Sequence, residues 1–116
     1  MTRDELIEYC QNEYNAVVDR PFKHYPNYVA LRHQNGKWFG IVMNVPANKL
    51  GLSGTNELDI VDLKVEPELN SILQKQAGFL PGYHMSKEHW LSARLDKFST
   101  PTDLADLIAG SFAATR

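Results

Sequence analysis

Tyr28-Val29-Ala30-Leu31-Arg32-His33, then Gln34-Asn35-Gly36, then Lys37-Trp38-Phe39-Gly40-Ile41-Val42-Met43-Asn44-Val45 is the stretch that decides the fold. Two runs rich in β-branched and aromatic residues flank Asn35-Gly36, the strongest short signal for a β-hairpin. A type I′ turn needs positive φ at both central residues, and Asn-Gly supplies it at the lowest steric cost. The first strand is read over Tyr28–His33 and the return over Lys37–Val45. Strict alternation on the return puts Phe39, Ile41, Met43 and Val45 on one face, and Trp38, Gly40, Val42 and Asn44 on the other.

Working outward, Thr2 and Glu5 form a capping box that opens a helix. In it Leu6, Tyr9, Cys10 and Tyr14 recur at core spacing, and Asn12–Asn15 is the exit. The prolines of Arg20-Pro21-Phe22 and Tyr25-Pro26-Asn27 push their predecessors out of the helical region, so that segment is irregular. Pro46–Asn56 is a loop, and Glu57–Val65 is a third strand with Val61, Leu63 and Val65 on one face. Glu66-Pro67-Glu68 starts a second helix, where proline is tolerated in the first turn. Leu69, Ile72 and Leu73 are its expected buried stripe. Leu80-Pro81-Gly82-Tyr83 has the pattern of a type II turn with glycine supplying positive φ. A strand follows from about His89. A last helix opens at Thr100-Pro101-Thr102-Asp103 with Leu104, Leu107, Ile108 and Phe112 on its apolar face. Hairpin-linked strands flanked by helices give an α+β domain with an antiparallel sheet, one domain over 1–116.

Composition narrows the function. The chain has 116 residues, 14 acidic and 12 basic side chains and a net charge of −2. That excludes a uniformly basic domain that coats nucleic acid by charge alone. A single cysteine, Cys10, allows no internal disulfide and no cysteine metal cluster. It sits among the apolar positions of the first helix, as an inert core thiol does. No apolar run approaches the roughly 18–20 residues of a membrane span. Met1-Thr2-Arg3-Asp4-Glu5 does not lead into a signal-peptide core, so the expected residence is cytoplasmic.

The charges are unevenly placed. From Arg20 to Asn56 there are five cations (Arg20, Lys23, Arg32, Lys37, Lys49) and no acid; the other seven cations share the rest of the chain with all 14 acids. His24 and His33 add charge below about pH 6.5. Phe22, Tyr25, Tyr28, Trp38 and Phe39 interleave with these charges. Cations suit phosphates and π faces suit bases; the alternative is a solvated hairpin whose aromatics are core. A second concentration lies in Pro81–Trp90, with His84, Lys87, His89 and Trp90. It reads as an anion or nucleic-acid contact through Lys87, or as structure with Trp90 anchored in the core. A metal pair of His84 and His89 lacks completing ligands at usable spacing. Asp4, Glu5 and Glu8 on the first helix suit solubility and the helix dipole, with a hard cation as the alternative. No phosphate-binding glycine loop, Gly-x-Ser-x-Gly elbow or His-Glu-x-x-His is present, and Ser53-Gly54-Thr55 lacks the lysine of a P-loop. No nucleophile–base pair can be written, so no enzyme, no cofactor and no metal is expected.

Several segments resemble one family. They are Leu58-Asp59-Ile60-Val61-Asp62-Leu63-Lys64-Val65, Pro67-Glu68, Leu80-Pro81-Gly82-Tyr83-His84-Met85-Ser86-Lys87-Glu88-His89-Trp90 and Leu107-Ile108-Ala109-Gly110-Ser111-Phe112. With Arg20-Pro21-Phe22 and Gly36-Lys37-Trp38-Phe39, they resemble the MmcQ/YjbR family over nearly the whole chain. Ser111-Phe112 departs from the family's frequent Ser-Tyr and loses a hydroxyl. The resemblance implies a CyaY-like two-layer α/β sandwich: a twisted antiparallel sheet with the N- and C-terminal helices packed on one face. It also implies a proposed double-wing DNA-binding role. The net charge of −2 makes the expected binding weak and confined to one face, by a monomer with no membrane partner. Carried over by position, the first wing is the hairpin around Asn35, Gly36, Lys37 and Trp38, with Arg32 a further candidate contact. The second is the Lys49–Thr55 loop, and Lys64, Lys87, His89 and Trp90 form or support a neighbouring surface. The alternative is a protein- or small-anion-binding module with a pocket around Pro81–Trp90.

Overall fold

A computed structural model describes residues 1–116. The elements run α1 (Arg3–Tyr14), β1 (Val17–Asp19), β2 (Val29–Arg32), β3 (Trp38–Pro46), β4 (Glu57–Lys64), α2 (Pro67–Leu73), β5 (Phe79–Pro81), β6 (Trp90–Arg94) and α3 (Ala105–Ala114). The six strands form one sheet in the order β1-β2-β3-β4-β6-β5, every pair antiparallel. This is the α+β architecture the hairpin predicted. The short outer strands β1 and β5 went unread, because three residues carry no usable alternation.

α1 and α3 pack on one face. Leu6 and Cys10 from α1, and Leu104 just before α3 with Ile108 within it, share a core with Val29, Leu31, Val42, Val61 and Leu63 of the sheet. The Thr2–Glu5 capping box is formed, and Asn15 ends α1 in the left-handed region at φ 51°. The entry to α3 is held by the Asp103 carboxylate, which accepts from the Ser99 and Thr100 amides at 2.9 and 3.2 Å. Buried Ser111 pins α3 to the sheet. Its hydroxyl donates to the Phe39 carbonyl at 2.5 Å and accepts from the Lys64 amide at 2.9 Å. The neighbouring Phe112 needs no hydroxyl, since its ring packs against His33 and Tyr14 with centroids at 4.2 and 4.7 Å.

Four local expectations are corrected. The Asn35-Gly36 turn is not type I′, because only Gly36 has positive φ (88°). The Gly36 amide donates to the His33 carbonyl and the His33 amide to the Lys37 carbonyl, as in a three-residue hairpin loop closed by a left-handed glycine. The register then slips: Leu31 faces Gly40, but Arg32 faces Trp38. This β-bulge inserts Phe39 and breaks the alternation. Phe39 therefore enters the helix-side core with Val42, while Trp38 joins Ile41, Met43 and Val45 on the opposite face. In α2 the expected stripe is outside, with Leu69 42% and Ile72 58% exposed; the residue buried is Asn70. α2 lies against the backbone of residues 87–90, whose carbonyls need donors rather than methyl groups. Finally, Gly82 is not a positive-φ turn residue. Pro81 ends β5, and glycine is required at 82 because a Cβ there would sit 2.7 Å from the Trp90 carbonyl oxygen.

Candidate functional site: an aromatic groove on the open sheet face

The sheet face opposite α1 and α3 buries its own small cluster: Tyr28, Ile41, Met43, Val45 and Ile60. Two loops flank it. The proline-interrupted segment before β2 contributes Phe22 and Tyr25, and the segment between β5 and β6 contributes Tyr83, His84 and Met85. Between them, along β3, runs a groove of about 280 Å³ floored by Ile41 and Met43 and headed by Trp38. Its wall is one aromatic array. Phe22 touches both Trp38 and Tyr28, with centroids at 5.5 and 5.9 Å. Tyr25 stacks almost parallel on Tyr28 at 4.6 Å and 15°, and is itself half exposed. Tyr25, Tyr28 and Tyr83 also border a second, polar hollow of about 250 Å³ lined by His24, Asn27, Asn44, Lys49 and Glu57. The two hollows thus share those three tyrosines as lining.

The segment after β5 is held by polar groups. The buried Asn70 amide faces the Lys87, Glu88 and Trp90 carbonyls at 3.4, 3.0 and 3.1 Å, and the Gln74 amide donates to Asn70 Oδ1 and the Lys87 carbonyl at 2.7 and 3.0 Å. The Lys87 ammonium folds back onto the Gly82 carbonyl. His84 sits at φ 60°, a left-handed conformation uncommon outside glycine, and presses its ring on Tyr83 at 4.0 Å. Under this segment, in mid-β4, lies Asp62, fully buried. Ser92 donates its hydroxyl to Asp62 Oδ1 while accepting from the Tyr83 amide at 3.0 Å; Asp62 Oδ2 has no partner. Burial raises the carboxyl to about 7, against the opposing pull of the Ser92 hydroxyl, the Tyr83 amide and the Lys87 charge.

The residues predicted to form the site are scattered among several places. Arg32 is engaged: its guanidinium pairs with Asp19 at 2.8 Å, donates to the Gly36 carbonyl at 2.9 Å and lies 5.4 Å from the Trp38 ring centroid. Lys37 is exposed at the hairpin tip and donates to the Arg116 carbonyl at 3.1 Å. Trp38 heads the groove. Lys49 lies beyond the far end of β3, in the polar hollow. The two expected wings therefore sit at opposite ends of a nine-residue strand, about 30 Å apart. Lys64 and Lys87 do not converge. Lys64 lines a hollow with Leu69 and Asp106, Lys87 a separate polar one with Asn70 and Glu88. His89 is exposed, 4.0 Å from Glu88. Trp90 is half buried and belongs to neither apolar cluster, so it is not the expected core anchor. His33 is buried beside Thr115, and burial together with the Arg116 and Lys37 charges lowers its pKa, so it adds no surface charge near neutrality. Cys10 is buried and its thiol is pushed up to about 12 by that burial. No three His, Cys, Asp or Glu side chains come together as a metal site, and no helix is long and apolar enough to cross a membrane.

Asp62, Asn70 and Met43 were not read as site residues, and Tyr83 was read only as part of the Pro81–Trp90 segment. The signal present in the sequence was the aromatic density between Phe22 and Trp38, which marked one wall of the groove but not its floor.

Comparison with known proteins agrees with this architecture. A Pseudomonas syringae protein solved by crystallography superposes with a TM-score of 0.93 at 40% identity, covering 100% of both chains. A solution structure from the same organism gives a TM-score of 0.86 at 39% identity, covering 100% of this chain and 94% of that one. A Deinococcus radiodurans protein at 22% identity shares the fold, with a TM-score of 0.70 over 96% of this chain and 75% of that one. In sequence, the uncharacterized protein YyaQ of Bacillus subtilis is 42% identical over 117 residues, 100% of this chain and 99% of that protein. The YjbR family model matches residues 13–114. With a family match across that span and a full-length relative well above 30% identity, this chain belongs to the YjbR family.

Proposed function

We propose that the protein is a non-catalytic DNA-binding domain, cytoplasmic and monomeric, that holds its ligand weakly by one positive region of an acidic body. The observation that carries this reading is the acid-free run from Arg20 to Asn56. It folds into β2, β3 and the loops at both ends of β3, which gathers its cations around one part of the sheet, with the Lys37 ammonium turned toward the end of α3. Arg20, Lys23, Lys37 and Lys49 are exposed, and of the five cations only Arg32 has an ion-pair partner. Lys37 and Lys49 are phosphate contacts, one at each end, and exposed Arg20 and Lys23 supply the others; Arg32 is held by Asp19 and orients Trp38 instead. The net charge of −2 limits affinity. Lys64, Lys87 and His89 lie outside this region, each beside an acidic residue or a backbone carbonyl, and contribute little. Their separation also disfavours a closed anion pocket under Pro81–Trp90.

Titration of fluorescently labelled DNA, duplex and single-stranded in parallel, between about 50 and 200 mM salt tests the proposal. About three or four phosphate contacts give a log–log slope near −3. Lys37→Ala and Lys49→Ala are each expected to make it shallower by about one unit. Absence of binding to either form at low salt, or binding insensitive to salt, refutes the reading.

A further inference from the structure

We infer that the groove along β3 is the seat of unpaired nucleotides, making single-stranded nucleic acid the preferred ligand. This rests on the DNA-binding reading and narrows it. The groove follows β3 from Trp38 at the hairpin to Met43, roughly 17 Å of extended backbone, and the polar hollow that holds Lys49 lies beyond it at the far end of the strand. Its middle is almost wholly apolar and aromatic, and its volume of about 280 Å³ lies just below the range that holds whole drug-sized ligands. That suits one or two flat rings at a time. A duplex presents its bases stacked and edge-on and has no ring to offer such a wall; an unpaired strand has one at every nucleotide.

Charge complements the rings at both ends. At the hairpin, Lys37 precedes Trp38 in the chain; it is exposed, with its ammonium resting on the Arg116 carbonyl at 3.1 Å, from which it must turn to meet a phosphate, and the Trp38 ring is already covered by the Arg32 guanidinium. At the other end, Lys49 and His24 line the polar hollow that shares Tyr25, Tyr28 and Tyr83 with the groove. Asn27 in the same hollow adds a group able to bond to sugar or base. Three carboxylates oppose a phosphate here: Glu57 lines the hollow with Lys49, Asp59 holds the Asn44 side-chain amide at 3.0 Å, and Asp62 is sealed beneath Tyr83 with no exposed surface. The exposed face of Tyr25 is the first platform a base meets, since its other face already stacks on Tyr28. A strand of about four nucleotides spans the arrangement, at the lower end of site sizes for small single-strand binders.

The test compares a labelled eight-residue oligothymidylate with a labelled mixed-sequence duplex at about 50 mM salt, by fluorescence anisotropy. In parallel the Trp38 indole N–H resonance is followed by NMR. The single strand is expected to bind about tenfold more tightly than the duplex and to shift the Trp38 resonance. Tyr25→Ala, at a half-exposed position where the fold is not at stake, should weaken single-strand binding about five- to tenfold and leave the duplex unchanged. Equal binding of both forms, unaffected by Tyr25→Ala, overturns the inference while leaving the DNA-binding reading standing. Binding of neither form removes both. A shift of Trp38 by an aromatic peptide but not by the oligonucleotide assigns the groove to a peptide and overturns the inference.

Discussion

Asp62 shows how much one residue can be changed by what folds over it. In the unfolded chain its carboxyl titrates near 3.8; in the fold burial holds it near 7. Below about pH 4 it is protonated in both states and costs nothing. As pH rises from 4 to 7 the unfolded chain ionises and the folded chain does not, so stability falls, reaching a loss of up to about 4 kcal/mol above pH 7. Asp62→Asn removes the titration while keeping an acceptor for Ser92. The variant is expected to melt at the same temperature as the parent near pH 4 and to be more stable by about 1–3 kcal/mol at pH 8. Parallel melting curves across that range would show that Asp62 does not titrate near neutrality. The sequence offered no warning of this residue. Ile60-Val61-Asp62-Leu63 reads as a strand with one wet face, and Asp62 is dry only because the Gly82–His89 segment lies over it.

At the level of elements, the hairpin, the third strand, both long helices and their caps were legible, because each rests on local chemistry: capping boxes, a glycine turn, period-two and period-four apolar spacing. The failures were tertiary. The bulge that carries Phe39 inward cannot be seen in a run that alternates well in either frame. The short α2 has Leu69 and Ile72 where a buried stripe belongs, yet it packs by Asn70, because the surface it meets is backbone. Of the site, one aromatic wall was legible and the floor was not, since Ile41 and Met43 look like core in any sheet. Asn70 provides the element-scale prediction. Asn70→Ala leaves the Glu88 and Trp90 carbonyls without that donor, and is expected to cost about 2–3 kcal/mol in urea unfolding. Hydrogen exchange at the His89 and Trp90 amides, which bond to the Ser86 carbonyl, should accelerate more than exchange in β3. A uniform acceleration across the sheet would mean that Asn70 supports the whole fold rather than this segment.

For the whole molecule, the decisive quantity is the distribution of charge, not its sum. Lys37 and Lys49 stand about 30 Å apart, several times the Debye length of roughly 8–10 Å at physiological salt. Their contributions to DNA binding should therefore be independent. The Lys37→Ala/Lys49→Ala pair is expected to lower the salt slope by about two units, with free-energy changes that add within about 0.5 kcal/mol. Strong coupling between them would mean that both touch one phosphate cluster, which the length of β3 forbids in a single rigid copy.

The two outermost strands carry a consequence of their own. Each has only three residues; one ends in Pro81, which has no amide hydrogen to offer, and the other ends at Asp19, whose carboxylate is taken by Arg32. Neither presents a run of open amides and carbonyls long enough to template a foreign strand. A six-stranded sheet ending this way resists growing sideways into a polymer. On the DNA-binding proposal, many copies could then be concentrated along one long DNA molecule without their sheets fusing edge to edge.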